Sequence, residues 1–227
     1  MTTPAVLLLA DSRLPSGSHA HSGGVEMAVT AGLLSTVDDL LGFLRGRLRT
    51  TGPVSAGFAA AACLLAAGPV SWADWDDALS ARIPAPELRT ASRAQGAALL
   101  RTVSRIWSTP ALTGLRELGR PHQLLVLGAA IAAGGGTGAD AAALALHHLV
   151  GGACSAAVRL LGLDPLDVAA AQGAVAGLAA EVAAEACPTA ELAVSTVDSS
   201  VLPATGAPLP ELLAVAHAQL EVSLFAS

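Results

Sequence analysis

Apolar residues along this chain recur at helical spacing and almost never alternate. From Val37 onward, Leu40, Leu41, Leu44 and Leu48 fall on one helix face, while Arg45 and Arg49 form an exposed i,i+4 row on another. Thr36 and Asp38 offer capping oxygens ahead of this helix, and Gly52-Pro53 is expected to break it. Val54 to Ala67 is apolar nearly all round, which predicts a helix enclosed by neighbours and a centre for the fold. Trp72, Trp75 and Leu79 share a face of the next segment, with Asp74, Asp76 and Asp77 opposite, and Ile83-Pro84-Ala85-Pro86 stops it. Glu87 to Trp107 keeps helical spacing through Leu88, Leu99, Val103 and Ile106. Ala91, Ser92 and Gly96 are small enough there to let another helix approach.

Thr109 to Pro121 reads as a Pro/Gly-bearing loop before a helix over Gln123 to Ala133. The glycine run 134–138 superficially resembles a nucleotide-binding loop, but helical patterns on either side favour an interhelical turn. Asp140 starts a helix to Leu161, and Asp164-Pro165 starts another. Val168 to Ala186 is alanine-rich, Pro188 is expected to interrupt it, and Glu191 to Val201 resumes it. Pro203 to Pro210 is a linker, followed by an amphipathic tail bearing Leu212, Leu213, Ala216, Leu220 and Leu224. The pattern predicts an all-α, single-domain multi-helix bundle over residues 1–202, then linker and tail over 203–227.

Composition narrows the function. With 227 residues and 53% hydrophobic content, the chain can bury a core without metals or disulfides. Lysine is absent, which excludes a Walker-type phosphate lysine and a Schiff-base lysine. The formal charge is −6 and unevenly spread: beyond Arg159 lie eight acidic residues and no basic one. That end is a solvated acidic face or a docking face for a basic partner. No concentrated basic footprint with stacking aromatics points to nucleic acid. Cys63, Cys154 and Cys187 are scattered in apolar contexts and read as small core residues. Met1 to Ala10 lacks a charged n-region, so a cytoplasmic location is expected. The uncharged run from Thr50 is trimmed by Pro53 and Pro69 to a segment too short to cross a bilayer, and no membrane partner is expected.

Polar, glycine and histidine residues crowd together from Leu14 to Glu26. Pro15 fixes its own φ, while Gly17, Gly23 and Gly24 permit angles closed to other residues, and Ser22 can cap a helix starting near Val25 and ending near Gly32. His19 and His21 could face one way and hold a transition metal with Asp11 as third ligand, but two histidines alone do not make a tight site. Adjacent His147 and His148 point about 100° apart on a helix and read as buried or interface residues. No serine has an evident base and orienter, and carboxylate pairs occur only as surface doublets such as Asp38-Asp39 and Asp76-Asp77. No enzyme activity, cofactor or resident metal is called for. Arg89, Arg93, Arg101 and Arg105 form a row that is either a solvated face or a partner surface.

The run Leu9 to Gly17 followed by His21-Ser22-Gly23-Gly24-Val25-Glu26 resembles the N-terminal signature of UreF-type urease accessory proteins. Arg89 to Leu100, Pro121 to Ala133, Leu146 to Leu163 and the terminal Leu224-Phe225-Ala226-Ser227 are similar to that family's later segments, in the same order. The resemblance implies an all-helical, homodimeric urease maturation factor. Such a factor binds the scaffold UreD (also called UreH), recruits the UreG GTPase and assists GTP-dependent nickel insertion into apo-urease. It further implies partner-binding roles for Leu14, Pro15, Ser16, Gly17, His19, His21, Ser22, Gly24, Glu26, Arg89, Ser92, Arg93, Leu220, Leu224 and Phe225. Members usually carry arginines where this chain has Ser223 and Ala226, so only apolar contacts carry over at that end. The tail is accordingly expected to be loosely packed alone and ordered against UreD. The alternative is a helical metal-handling or small-molecule protein using His19 and His21 directly.

Overall fold

The computed structural model describes residues 3–17, 21–206, 208–218 and 225. Among these, α1 (Pro4–Ala10) and α2 (Val25–Thr30) flank the opening turn, and α3 (Val37–Leu65), α4 (Trp72–Ser80), α5 (Pro86–Ile106) and α6 (Pro110–Glu117) follow. Then come α7 (Gln123–Ala133), α8 (Gly138–Leu161), α9 (Pro165–Ala174), α10 (Ala176–Thr196), a 3-10 turn (Ser199–Val201) and α11 (Pro208–His217). No strand occurs among the described residues, so the expected all-α class holds.

The centre of the bundle is α3, packed on α7, α8 and α10. Thr36 starts it with a capping box: its hydroxyl accepts from the Asp39 amide, and the Asp39 carboxylate accepts from the Thr36 amide. The expected break at Gly52-Pro53 does not occur. Proline inside a helix costs about 3 kcal/mol. Yet Leu44, Leu48 and Phe58 on either side are wholly buried, and each such side chain is worth about 1.5–3 kcal/mol. Packing therefore outweighs the local penalty. Pro188 is carried inside α10 for the same reason, with Val182, Ala186, Ala190 and Ala193 buried around it.

Other boundaries also differ from the pattern. Within the expected loop after Thr109, Pro110 at the first helical position and a Thr109 hydroxyl accepting from the Leu112 amide start α6, which buries Ala111, Leu112 and Leu115. The alanine-rich stretch after Asp164 bends by 41° at Val175 and becomes α9 and α10. The glycine run is an interhelical turn, closed by a second capping box between Thr137 and Asp140.

Alanine and glycine let these helices approach closely. A Cβ on Gly128 of α7 would lie 2.3 Å from the Ala59 carbonyl oxygen of α3. One on Gly96 of α5 would lie 2.0 Å from the carbonyl oxygen of Pro121. Among the described residues, α8 is the one single helix long and apolar enough to cross a membrane, α9 and α10 reach that length only as a bent pair, and 56% of the most apolar stretch of α8 is buried inside the bundle.

Candidate partner-binding site

The opening turn is held at several points. Leu14 and Ser16 are buried while Pro15 and Gly17 stay exposed. The Thr102 hydroxyl of α5 donates to the Pro15 carbonyl at 2.7 Å. Gly17, Gly23 and Gly24 all have positive φ, at 78°, 62° and 92°, as their expected freedom requires. A Cβ on Gly17 would also come within 3.1 Å of the Ala98 Cβ, so the turn lies directly on α5. Ser22 is fully buried, and its hydroxyl accepts from the Glu26 amide at 3.3 Å. It caps α2 from two residues before Gly24, the last non-helical residue. His21 is half-buried, and His19 lies outside the described residues.

Glu26, one turn into this segment, receives the C-terminal part of the chain. Its Oε2 accepts from the Phe225 amide at 3.1 Å and contacts His217 Nε2 at 2.7 Å, with both side chains nearly buried. The Arg159 guanidinium lies 4.5 Å from the centre of the Phe225 ring. Phe225 is thus seated on its own chain, contrary to the expectation of a loosely packed tail. On α11, Leu213 and Ala214 are buried while Leu209, Leu212 and Val215 form an exposed apolar stripe. Leu220 and Leu224 lie outside the described residues.

The arginine row of α5 divides. Arg101 and Arg105 are exposed. Arg89 turns back onto the carbonyls of Ile83 and Pro84, each at 2.7 Å. Arg93 binds Asp76 at 2.6 Å, Ser80 Oγ at 3.0 Å and the Arg120 carbonyl at 2.7 Å. Asp76, placed by the pattern on a wet face, is buried, because its other oxygen accepts from the His122 amide at 2.9 Å. The His122 ring sits between Ser80 Oγ and Ser92 Oγ, each at 2.9 Å. Arg93 already donates to Ser80 Oγ, so the Ser80 hydrogen is free to reach His122 Nε2. The ring is then the Nδ1–H tautomer, donating to Ser92. Burial pushes the His122 pKa down to about 4, with Asp76 opposing and Arg93 and Arg89 assisting. This closed network ties α4, α5 and the start of α7 together. A Ser–His–Ser arrangement in which the carboxylate binds the backbone lacks the orienter that nucleophilic catalysis needs.

A cleft of about 230 Å³ opens between α3, α5, α7 and α8. Its walls include His21 and Gly24 of the opening turn, Ser92 of α5, Arg47 of α3, His148 of α8 and Glu211 of α11. His148 Nε2 donates to the Leu9 carbonyl at 3.0 Å, while its buried Nδ1 has no partner. Burial, more than the neighbouring His147, pushes its pKa to about 4. His147 itself is exposed. Asp11 is taken up by Arg13 at 2.6 Å, and this hydrogen-bonded pairing holds its carboxyl at about 2. Among the described residues, no three histidine, cysteine or carboxylate side chains gather as metal ligands.

Comparison with known proteins bears on what this surface serves. The model of the UreF family matches residues 34–179. The chain belongs to the UreF family. It is 44% identical to the urease accessory protein UreF of Mycobacterium sp. (strain JLS) and 40% identical to that of Mycobacterium marinum, each over 100% of both chains. To the urease accessory protein UreF of Mycobacterium tuberculosis it is 42% identical over 82% of this chain and 86% of the relative. The UreF family model omits the opening turn, but the full-length alignments include it.

Of the residues singled out from sequence, the fold brings Pro15 and Gly17 onto α5, Glu26 onto Phe225, and His21, Gly24 and Ser92 into one cleft. Arg89 and Arg93 are directed instead at their own chain. His148 is half-buried with its Nδ1 enclosed, in keeping with its reading from sequence as a buried or interface residue, whereas Asp76 was read as a surface carboxylate, and His122, His217 and Arg47 were missed. Only His122 had a signal, standing next to Pro121 where a helix was expected to begin.

Proposed function

We propose that this UreF-family chain acts in urease maturation by presenting surfaces, not by catalysis. In this reading it bridges the UreD/UreH scaffold and the UreG GTPase, and so assists GTP-dependent nickel insertion into apo-urease. It works as a homodimer in the cytoplasm, with nickel as cargo and not as a resident cofactor. The observation that carries the reading is the junction at the opening turn, where α5, α11 and Phe225 are joined through Thr102–Pro15, His217–Glu26 and Phe225–Glu26. A partner contacting the exposed Pro15 and Gly17 would therefore press on a turn to which three separate chain segments are tied. The apolar stripe of Leu209, Leu212 and Val215 and the exposed Arg101 and Arg105 supply neighbouring contact chemistry.

The test is co-expression with the UreD and UreG homologues of the same source. Recovery of a ternary complex, lost when Leu212 and Val215 are changed to serine, is the expected result. A chain that purifies alone under all conditions would overturn the reading. The alternative, direct metal handling by His19 and His21, is separated by equilibrium dialysis with nickel. Tight binding by the isolated chain favours it, and binding only with partners present favours maturation. Asp11, its third ligand, is already paired with Arg13.

A further inference from the structure

The cleft between α3, α5, α7 and α8 holds a charge imbalance that the urease role does not explain. Among the described residues, two arginines, Arg47 and Arg82, stand in its wall, and Glu211 is the single carboxylate there. Glu211 is committed elsewhere, accepting from the Ala85 amide at 2.6 Å. Neither arginine has a carboxylate partner among the described residues. Taking a cation out of water without a counter-charge is costly, so such groups normally bind something that compensates.

The two arginines solve this differently. Arg82 is held by backbone through four of its N–H donors: Nε donates to the Pro203 carbonyl, Nη1 to Ala78, and Nη2 to Ser199 and Leu202, at 2.7–3.1 Å. Its guanidinium also lies 5.1 Å from the centre of the Phe58 ring. Arg47 has one bond, from Nη1 to the Gly23 carbonyl, and its Nε–H is enclosed with no acceptor. An arginine carries five N–H donors in a planar fork suited to two oxygens of one anion.

We propose that this cleft binds one small oxyanion, a carboxylate or an inorganic oxyanion such as phosphate, on the Arg47 guanidinium. Its volume of about 230 Å³ suits a charged head of a few heavy atoms. Leu88, Leu127 and Leu149 in the wall leave room for a short apolar body beside that head. Arg47 stands in the wall of a cleft and not on a flat face, which favours a diffusible anion over a docked side chain. Burial, with no opposing charge, pushes the Arg47 pKa down to about 10, consistent with a guanidinium awaiting a counter-charge. Gly23 matches the arrangement: its φ is positive, and a Cβ there would meet the Arg47 Nη1.

Equilibrium dialysis of the full chain against labelled acetate and labelled phosphate, at ionic strength matched with sodium chloride, tests this. One equivalent per chain should bind saturably, and the preferred ion distinguishes a carboxylate ligand from an inorganic one. Arg47→Gln should weaken binding at least about tenfold, the effect of losing a charged hydrogen bond. Arg45→Gln, exposed on the same helix, should leave it unchanged. Should Arg47→Gln fail to fold by circular dichroism, Arg47→Lys keeps the charge without the planar fork, and binding equal to the parent chain would sink the proposal. Absence of saturable binding to the parent chain would overturn it, as would binding that survives Arg47→Gln.

Discussion

Glu26 and His217, separated by 191 positions in sequence, meet at 2.7 Å between α2 and α11, and the same glutamate oxygen accepts the Phe225 amide. α11 and Phe225 are thereby fastened to the residue that completes the opening turn. Breaking one partner of a nearly buried pair leaves the other without compensation, so Glu26→Ala should cost about 3 kcal/mol in urea unfolding. Deleting residues 211–227 removes the buried Leu213, Ala214 and Phe225 as well, and should lower the melting temperature by roughly 10 °C or more. A melting temperature unmoved by the deletion would show the tail to be held loosely.

Arg93 and Arg101 stand two turns apart on α5 and predict opposite outcomes. Arg93→Glu places a second acid against buried Asp76 and should destabilise the free chain by about 3 kcal/mol or more, measured by chemical denaturation. Arg101→Glu, on the exposed face, should change stability by no more than about 0.5 kcal/mol. If this face meets an acidic partner, the Arg101 variant weakens complex formation, and the parent complex weakens with salt. Equal stability of the two variants would contradict the Asp76–Arg93 network.

Acid should unfold the protein through its buried histidines. His122 and His148 are held near pKa 4, below the ordinary 6.5, because burial disfavours their charged forms. Between those values the unfolded chain binds more protons, so stability is complete above pH 6.5 and falls as pH drops toward 4. Each histidine contributes a slope of about 1.4 kcal/mol per pH unit at most. Replacing His148 with glutamine should flatten the measured dependence in that window, and an unaltered slope would assign the titration elsewhere.

Val197 ends α10 in the left-handed region at φ 54°, with 80% of its surface exposed. A β-branched residue is strained there, whereas glycine is not. Val197→Gly should therefore raise stability by about 1 kcal/mol by differential scanning calorimetry. A loss of stability would mean that contacts of the valine outweigh its backbone strain.

Gly17 and Gly24 test the junction itself. Valine at either position opposes a positive φ, and at Gly17 it also presses on Ala98. Both variants should disturb the opening turn and reduce recovery of UreD in co-purification, while circular dichroism reports unchanged helix content. Undiminished recovery with both would remove the turn from the partner surface.

The residues alone were enough for the all-α class, the central position of Val54 to Ala67, the capping residue Thr36, and the glycine freedom of the opening turn. These depend on short-range spacing and backbone chemistry, which act wherever the segment is placed. The UreF resemblance was likewise legible in local motifs. Tertiary structure decided the rest. Pro53 and Pro188 stay inside helices because burial of whole faces exceeds a local penalty of about 3 kcal/mol, a balance invisible in the prolines themselves. Asp76 read as a solvated charge, and Arg93 and Glu26 as contacts for a partner, until the fold set Arg93 on Asp76 and the Arg120 carbonyl, His122 on Asp76, and His217 and Phe225 on Glu26. Pairings between residues distant in sequence leave no periodic trace, since each is fixed by where packing places two helices and not by the neighbours of either residue.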